Sequence, residues 1–329
     1  MSDEFRALVA DKTDAGVATT IRRLTAADLM PGDVDVRVEY STVNYKDGLA
    51  VLGRSGSIRK YPLIPGIDLA GRVTASRNQA FKAGDQVIVN GWGLGETHHG
   101  GFAERARFNA SWLTRLPEGI TSREAMAVGT AGYTAALCVL ELQAQNVRSD
   151  GGPIVVTGAA GGVGSVAIAL LASLDYHVIA VTGRPEEANY LRDLGAKEIM
   201  PRSELEAEVK PLAKERFAGA VDSVGSKILA NILSMTQAGG TVTACGLAAG
   251  MDLPATVAPF ILRGVRLSGV NVNHVPEAKR DKAWNMIAQR LDKAKLAEMT
   301  QEVALEDVPA VARNILAGKV RGRTVVKLA

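Results

Sequence analysis

The stretch Ile154-Val155-Val156-Thr157-Gly158-Ala159-Ala160-Gly161-Gly162-Val163-Gly164 decides how the rest of the chain is interpreted. A β-branched run ends at a glycine, three more glycines follow within six residues, and a small-residue apolar segment begins at Ser165. This order predicts a strand, a tight turn and a helix. Glycines let such a turn approach a pyrophosphate, and the helix N-terminus presents free N–H groups to it. The predicted dinucleotide contacts are Gly158, Ala159, Ala160, Gly161, Gly162, Val163 and Gly164.

From Pro153 onward, strands and helices alternate, which is the pattern of a doubly wound parallel sheet. The predicted strands are Ile154–Thr157, Val178–Thr182, Glu198–Met200, Ala220–Ser223, Thr241–Gly246 and Arg266–Val270. The predicted helices cover residues 164–174, 186–194, 203–216 and 226–237.

The first 125 residues have a different pattern, with short strands separated by Gly and Pro clusters, which favours a small barrel or sandwich. Val34 to Tyr40, for example, alternates apolar and polar side chains. A last strand near Thr324 to Leu328 follows the nucleotide domain. We therefore predict an α/β protein with a discontinuous β-rich catalytic domain, 1–125 and 271–329, around a nucleotide-binding domain, 126–270. The active site is expected in the cleft between the two domains.

Composition and charge narrow the classes of partner. The chain has 329 residues, a formal net charge of +3 and two cysteines, Cys138 and Cys245. So small a charge predicts no nucleic-acid partner and no membrane partner. Two cysteines in apolar runs fit a reducing compartment, and Met1 to Arg6 is not followed by an apolar run of signal-peptide length. We expect a cytoplasmic enzyme.

The end of the second strand of the nucleotide domain indicates which dinucleotide is bound. In a site for NAD, a carboxylate about 20 residues beyond the first glycine binds the ribose hydroxyls. Here the strand ends in Thr182-Gly183-Arg184, and Arg202 follows the next strand. A hydroxyl and two guanidinium groups suit a 2′-phosphate, so NADPH is predicted. Solvated surface arginines are the alternative, and Glu186 and Glu187 keep NADH possible.

Several further strings make the chain similar to a known family along most of its length. They are Asn44-Tyr45-Lys46-Asp47-Gly48-Leu49, Pro65-Gly66-Ile67-Asp68-Leu69-Ala70-Gly71, Gly91-Trp92-Gly93, Gly129-Thr130-Ala131-Gly132-Tyr133-Thr134-Ala135 and Pro259-Phe260-Ile261-Leu262-Arg263. With the glycine-rich turn, they resemble the zinc-free quinone-oxidoreductase group of the medium-chain dehydrogenase/reductase superfamily, in its acryloyl-CoA reductase (NADPH) branch. The resemblance implies a Rossmann domain and a GroES-like catalytic domain.

Zinc-dependent relatives need cysteine and histidine ligands in the first domain. Residues 1–125 contain no cysteine, and His98 and His99 are adjacent, which favours loop residues over ligands. Asp68 lies where the zinc members carry Gly-His-Glu, and a structural role is expected for it. We predict no metal.

The resemblance implies reduction of a double bond that a carbonyl polarises. Hydride goes to Cβ, and donors stabilise the developing enolate oxygen. A proton then goes to Cα. The candidate catalytic residues are Tyr45, Asn44 and Asp47. Tyr45 is expected to donate a hydrogen bond or a proton, or only to stack on the nicotinamide. Asp47 is expected to orient Asn44 or Lys46, or only to cap a helix.

Further contacts are implied by the same resemblance. Tyr45, Thr130, Leu247, Ile261 and Val272 are expected near the cofactor, the last three with sheet core as the alternative. For a CoA substrate, Arg59 and Lys60 are candidate phosphate contacts, with a solvated loop as the alternative. Arg323 is a further candidate substrate contact that could reach the cleft.

The strand from Leu267 to Val272 is expected at a sheet edge, where pairing with its copy would give a homodimer. Three functions remain open: an NADPH-dependent enoyl-thioester reductase that converts acryloyl-CoA to propionyl-CoA, a reductase of quinones or small enones without CoA specificity, and an NADPH-binding protein without turnover.

Overall fold

The computed structural model describes residues 4–14, 16–54 and 56–329. The chain divides into two compact units. The first contains Met1–Thr130, Val272–Pro276 and Leu296–Ala329, and the second contains Ala131–Asn271 and Glu277–Lys295. The functional domain boundaries drawn from the sequence stay a prediction.

The helices and strands follow in chain order. The strands are β1 Phe5–Thr13, β2 Gly16–Leu24, β3 Val34–Thr42, β4 Asp68–Ser76, β5 Gln86–Asn90, β6 Arg105–Phe108, β7 Leu113–Arg115, β8 Ile154–Val156, β9 Val178–Thr182, β10 Glu198–Pro201, β11 Phe217–Asp222, β12 Thr236–Ala244, β13 Arg266–Gly269, β14 Thr300–Ala304 and β15 Arg323–Lys327. The helices are α1 Tyr45–Val51, α2 Ser122–Ala144, α3 Gly162–Ser173, α4 Ala188–Leu194, α5 Ser226–Met235, α6 Ala258–Arg263, α7 Glu277–Arg290, α8 Lys293–Glu298 and α9 Val308–Leu316.

The first unit is built on a mostly antiparallel sheet in the order β14-β15-β3-β4-β5-β7, with β6 paired to β3 and with β1 and β2 forming a hairpin. The alternation predicted for β3 is present: Val34, Val36 and Val38 are buried in the core. The carboxy-terminal β15 pairs with β3, Val326 opposite Ser41. The start of β15 is thereby brought beside the end of β3, which is where the polar site of this unit lies.

The second unit holds a parallel sheet in the order β10-β9-β8-β11-β12-β13. β8 and β9 are buried along their whole length, as expected for strands covered on both faces. The chain order reverses between β8 and β11, the place where doubly wound sheets bind ligands beyond the carboxyl ends of their strands. The predicted Rossmann sheet with a GroES-like domain is confirmed.

Three local predictions differ from the structure. Residues 203–216 form only a short 3-10 turn, Arg202–Leu205, because Pro211 cannot donate a helical hydrogen bond and restricts the residue before it. The predicted strand to Val272 ends at Gly269. The hairpin strand β2 was not predicted, and most of its side chains are exposed.

The helix α2 is long and apolar enough by composition to cross a membrane, with a mean hydropathy of 1.5 over its apolar window. However, 94% of the apolar window is buried inside the protein, as in the core helices of soluble proteins. The helix is also interrupted at Gly129, where φ is 53° and ψ is −165°.

Candidate active site

Five polar residues from four elements of the first unit meet in its interior. Thr42 ends β3, Asn44 is the N-cap of α1 and Asp47 lies in its first turn, Asp68 begins β4, and Arg323 begins β15. All five are buried, from 0% exposed for Asp68 to 8% for Asn44. We call these residues the carboxyl cluster. Buried charges of this kind are stable only when they are paired or hydrogen-bonded.

Asp47 fulfils both roles that the sequence left open. Its Oδ2 accepts hydrogen bonds from the Asn44 backbone N–H at 2.8 Å and from Asn44 Nδ2 at 3.1 Å. Its Oδ1 accepts from the backbone N–H of Ile67 at 2.9 Å. The carboxyl therefore caps α1 and orients the Asn44 side chain. Burial, followed by the negative charge of Asp68, raises the pKa of Asp47 to about 7.

The Asn44 amide is hydrogen-bonded inside the cluster. Nδ2 donates to Asp47 and, at 3.3 Å, to Asp68 Oδ2, while Oδ1 accepts from Arg323 at 3.2 Å. Two N–H bonds are available on that nitrogen, and both are used here. In this conformation Asn44 offers no free donor to a substrate oxygen.

Arg323 was a candidate substrate contact, and its burial argues against that role. It is 3% exposed, and its guanidinium donates to the Ala127 carbonyl at 2.8 Å, to Asn44 Oδ1 and to Thr42 Oγ1 at 3.0 Å. Burial lowers its pKa, and the two carboxyls oppose that shift. The residue is a buried cation that bridges β3, α1 and α2.

Asp68 connects the cluster to the segment after the α2 interruption. Its Oδ2 accepts from the backbone N–H of Thr130 at 2.5 Å. Its Oδ1 is buried and has no hydrogen-bond partner among the described residues. Burial raises the pKa of Asp68, and the charge of Arg323 opposes the rise. The sequence predicted a structural role for Asp68 but not its hydrogen bond to Thr130, because no sequence pattern links residues 68 and 130.

Tyr45 differs from its neighbours because its side chain is 45% exposed. It is the first residue of α1 and follows Asn44, the N-cap. The first turn of α1, which carries the exposed phenol, is therefore stabilised by hydrogen bonds within the carboxyl cluster. Of the three candidate catalytic residues, Tyr45 has the side chain that is accessible to a substrate.

The loop that carries Arg59 and Lys60, which we call the basic loop, lies against the turn at residues 93–98. Lys46 forms an ion pair with Glu96, whose carbonyl accepts from the Arg59 backbone N–H at 2.9 Å. Ile58 is buried in a small apolar cluster, whereas Arg59 and Lys60 are exposed. The loop is therefore anchored while its two cationic side chains face solvent.

Two residues at and just after the end of β5 were not selected from the sequence as site residues. Asn90, at the end of β5, is buried and places Nδ2 3.4 Å from Thr130 Oγ1. Trp92 follows with φ of 59° between two glycines of positive φ, and it stacks on Trp112 with ring centroids 6.1 Å apart. The signal in the sequence that could have identified these two residues is a polar residue, Asn90, that ends a predicted strand directly before Gly91-Trp92-Gly93.

The histidines expected to be loop residues are packed rather than free. His99 Nδ1 accepts from the Ile64 backbone N–H at 3.2 Å, and His98 packs edge-on against Trp112. Burial lowers the pKa of His99. Across the described ranges 4–14, 16–54 and 56–329, no group of three His, Cys, Asp or Glu side chains is arranged to hold a metal ion.

In the second unit the glycine-rich turn has the geometry that a pyrophosphate requires. Gly158 adopts φ of 57°, and Gly161 is the N-cap of α3. A side chain at Gly164 would collide with the Gly158 carbonyl. Asp222 supports the turn by accepting from Thr157 Oγ1 at 2.7 Å and from the Gly225 N–H at 2.8 Å. The open helix end and the compact backbone fit a bound dinucleotide.

The structure brings together the groups predicted around the 2′-phosphate. A Cβ at Gly183 would lie 3.0 Å from Cζ of Arg202. The Arg184 N–H donates to Thr182 Oγ1 at 3.0 Å. Each arginine also has an acidic neighbour, Glu187 at 3.4 Å from Arg184 and Glu206 at 2.9 Å from Arg202.

The remaining predicted cofactor contacts, Leu247, Ile261 and Val272, are divided between the two units. Leu247 is 56% exposed and Ile261 is 73% exposed, so neither is sheet core. Val272 belongs to the first unit, where its carbonyl approaches Gly91. Their contact with the cofactor stays a prediction.

Comparison with known proteins places this geometry in a family. Residues 30–118 match the alcohol dehydrogenase GroES-like domain, and residues 162–289 match the zinc-binding dehydrogenase family. The chain is 50% identical to the acrylyl-CoA reductase AcuI of Ruegeria pomeroyi, covering 98% of each protein.

Solved structures of similar proteins agree over the whole chain. The yhdH oxidoreductase of Salmonella enterica in complex with NADP has a TM-score of 0.97 at 48% identity, covering 98% of this chain and 100% of that one. The yhfP protein of Bacillus subtilis with NAD bound has a TM-score of 0.95 at 42% identity, covering 99% and 100%.

The second family carries zinc in its name, but the described residues do not supply a zinc donor set. At residue 68, a carboxyl bound to Thr130 and Asn44 takes part in the carboxyl cluster instead. The chain belongs to the medium-chain dehydrogenase/reductase superfamily, in the quinone-oxidoreductase-like group that includes the acrylyl-CoA reductases.

Proposed function

We propose that this protein reduces the 2,3 double bond of acryloyl-CoA with NADPH and forms propionyl-CoA. The observation that carries the proposal is the full-length similarity to an acrylyl-CoA reductase, together with a glycine-rich turn and an exposed phenol beside a buried polar cluster. When bound, NADPH supplies the hydride that adds to Cβ of the double bond.

The residues around the turn are suited to hold that cofactor. The pyrophosphate would be held by the N-terminus of α3 and by the backbone N–H groups of the turn at residues 158–164, apart from those of Ala159 and Gly161, which donate to protein carbonyls. Arg184 and Arg202 bind the 2′-phosphate, and Thr182 holds the backbone of Arg184. Because the yhfP protein of Bacillus subtilis was solved with NAD bound, the preference for NADPH over NADH requires a direct test. A bound 2′-phosphate would compete with Glu187 for Arg184 and with Glu206 for Arg202.

Tyr45 is the proposed group at the reacting atoms. Its phenol donates to the thioester oxygen as negative charge develops there, or delivers the proton to Cα. Asn44 and Asp47 act as positioning residues in this proposal, because their polar atoms are already engaged with each other, with Asp68 and with Ile67. Replacing Tyr45 with Phe should lower kcat by about 100-fold while leaving NADPH binding intact.

The homodimer is proposed on a feature of the second unit. Six of the eight large apolar side chains that are exposed among the described residues lie in residues 247–262, next to the edge strand β13. An edge strand flanked by apolar side chains can pair with its own copy about a two-fold axis.

Both cysteines are free thiols, which supports the reducing cytoplasm as the location.

One assay tests the function directly. NADPH oxidation is followed with acryloyl-CoA, with an enone that lacks CoA and with a naphthoquinone, and propionyl-CoA is identified by mass spectrometry. We expect the highest kcat/KM for acryloyl-CoA. A higher kcat/KM for the quinone would transfer the assignment to the quinone reductases, and no oxidation with any acceptor would favour a binding protein.

The basic loop gives a second arm of the same assay. Replacing Arg59 and Lys60 with Ala should raise KM for acryloyl-CoA about tenfold and leave KM for the naphthoquinone unchanged, because two exposed phosphate contacts are lost. Replacing Arg22 and Arg23 on β2, which are also exposed, is the matched control. Equal effects on both substrates would remove the loop from CoA binding.

A further inference from the structure

The carboxyl cluster contains more acid than base. Asp47 and Asp68 are both completely buried, and the cation enclosed with them is Arg323. With both carboxyls ionised, the cluster would carry a net charge of −1 with no access to solvent. Isolated charge in such surroundings is strongly unfavourable, and the usual response is that an acid keeps its proton.

A single side chain joins the two carboxyls. Asn44 Nδ2 donates to Asp47 Oδ2 at 3.1 Å and to Asp68 Oδ2 at 3.3 Å. Two carboxylates that share one amide repel each other through it, whereas one carboxylate and one carboxylic acid do not. Among the described residues, Arg323 donates to Ala127, Asn44 and Thr42 and hydrogen-bonds to neither carboxyl.

The charged groups around the pair are few. Asp47 is faced by Asp68 from β4 and by Arg323 from β15, and Lys46 lies beside it on α1. Lys46 is partly exposed and is paired with Glu96, so it contributes little to the interior balance. Burial raises the pKa of both carboxyls, which agrees with the charge count.

We propose that Asp47 and Asp68 hold one proton between them at neutral pH, and that this proton keeps Asn44, the N-cap of α1, in the position that presents Tyr45. The inference rests on the proposed function for its catalytic consequence and makes Asp68 a positioning residue. Loss of the shared proton as the pH rises through about 7 leaves two negative carboxylates across one amide. The first turn of α1 then loosens, and kcat falls.

Two isosteric variants test the charge count independently of turnover. Asp47→Asn and Asp68→Asn each remove one carboxyl and leave the other to balance Arg323. Infrared spectra at pH 7 should show the carbonyl stretch of a protonated carboxylic acid in the wild type and lose that signal in each single variant. Persistence of the signal in both variants, or its absence from the wild type, would overturn the proposal.

The double variant D47N/D68N supplies the discriminating comparison. It leaves the buried guanidinium without any carboxylate, so its loss of stability should far exceed the sum of the two single losses in urea unfolding. Additive losses would mean that neither carboxyl balances Arg323 and would refute the shared proton.

The kinetic arm separates this inference from the proposed function. If wild type reduces acryloyl-CoA, its kcat should decline about tenfold between pH 6 and pH 8, because the protonated fraction falls by that factor around a pKa of about 7, and D68N should lack that decline. D68A should lose kcat, and D68N should recover most of it because the amide keeps the hydrogen bond from Thr130. Wild type that reduces no acceptor refutes the function alone, since the infrared result stands without it.

Discussion

Gly129 occupies a backbone conformation that side chains rarely adopt, at φ 53° and ψ −165°. A Cβ there would lie 2.5 Å from the Nη2 of Arg323 and 2.7 Å from Thr42 Cγ2. Gly129→Ala should therefore lower the free energy of unfolding by about 3 kcal/mol, as measured by urea denaturation.

The control for Gly129→Ala is Gly318→Ala in the same unit. Gly318 has φ of 68° with nothing within 4 Å of its Cβ position, so it isolates the conformational cost of about 1 kcal/mol. Equal losses for the two variants would show that the collision with Arg323 is relieved.

Asp47 makes the stability of the protein depend on pH. Its pKa is raised by burial to about 7 in the folded protein, against a reference near 3.9 for an unfolded chain. Between these values the unfolded state has released the proton and the folded state has kept it. The contribution of Asp47 to stability is therefore full below about pH 4 and is lost as the pH rises to about 7.

Comparison of the wild type with Asp47→Asn isolates the pH-dependent contribution of the Asp47 carboxyl to stability. The difference in free energy of unfolding, wild type minus variant, should fall from pH 4 to pH 7 by on the order of 1.4 kcal/mol per pH unit at most. Urea titrations at several pH values measure it. A difference that rises with pH would mean that Asp47 is an ordinary ionised carboxylate in the fold.

At the scale of elements, we expect the end of β9 and the 3-10 turn after β10 to select between the two nicotinamide cofactors. Arg184→Ala should lower kcat/KM for NADPH by about 10- to 100-fold, because a charge-assisted hydrogen bond to the 2′-phosphate is lost. The value for NADH should stay within about twofold. Steady-state kinetics with both cofactors measure the ratio.

Two variants control the cofactor measurement. Arg192→Ala removes an exposed arginine of α4 and should change neither value. Glu187→Gln frees Arg184 from its ion pair and should strengthen the preference for NADPH. A loss shared equally by NADPH and NADH in R184A would assign Arg184 to folding of the turn.

At the scale of the whole molecule, the apolar residues near β13 determine the expected assembly. Leu262→Asp places a charge in the exposed apolar stretch 247–262 and should convert a dimer to a monomer in sedimentation velocity. Ile21→Asp changes an exposed apolar residue of β2 and serves as the control. Wild type that sediments as a monomer would contradict the homodimer.

The amino-acid sequence by itself determined the Rossmann turn and the return of the last strand to the first sheet. Both depend on local signals, because glycine spacing and β-branched periodicity are properties of neighbouring residues. The sequence strings around Asn44, Asp68 and Thr130 identified the family, because each string is also a pattern of neighbouring residues.

Only the tertiary structure decided the roles within the carboxyl cluster. Asn44, Asp68 and Arg323 are separated by 24 and 255 residues, and no periodicity links them. Their burial and hydrogen bonds arise when β15 pairs with β3, which encloses one guanidinium with two carboxyls. The charge balance of that enclosure depends on which groups lose their water together, and a linear pattern of residues does not contain this information.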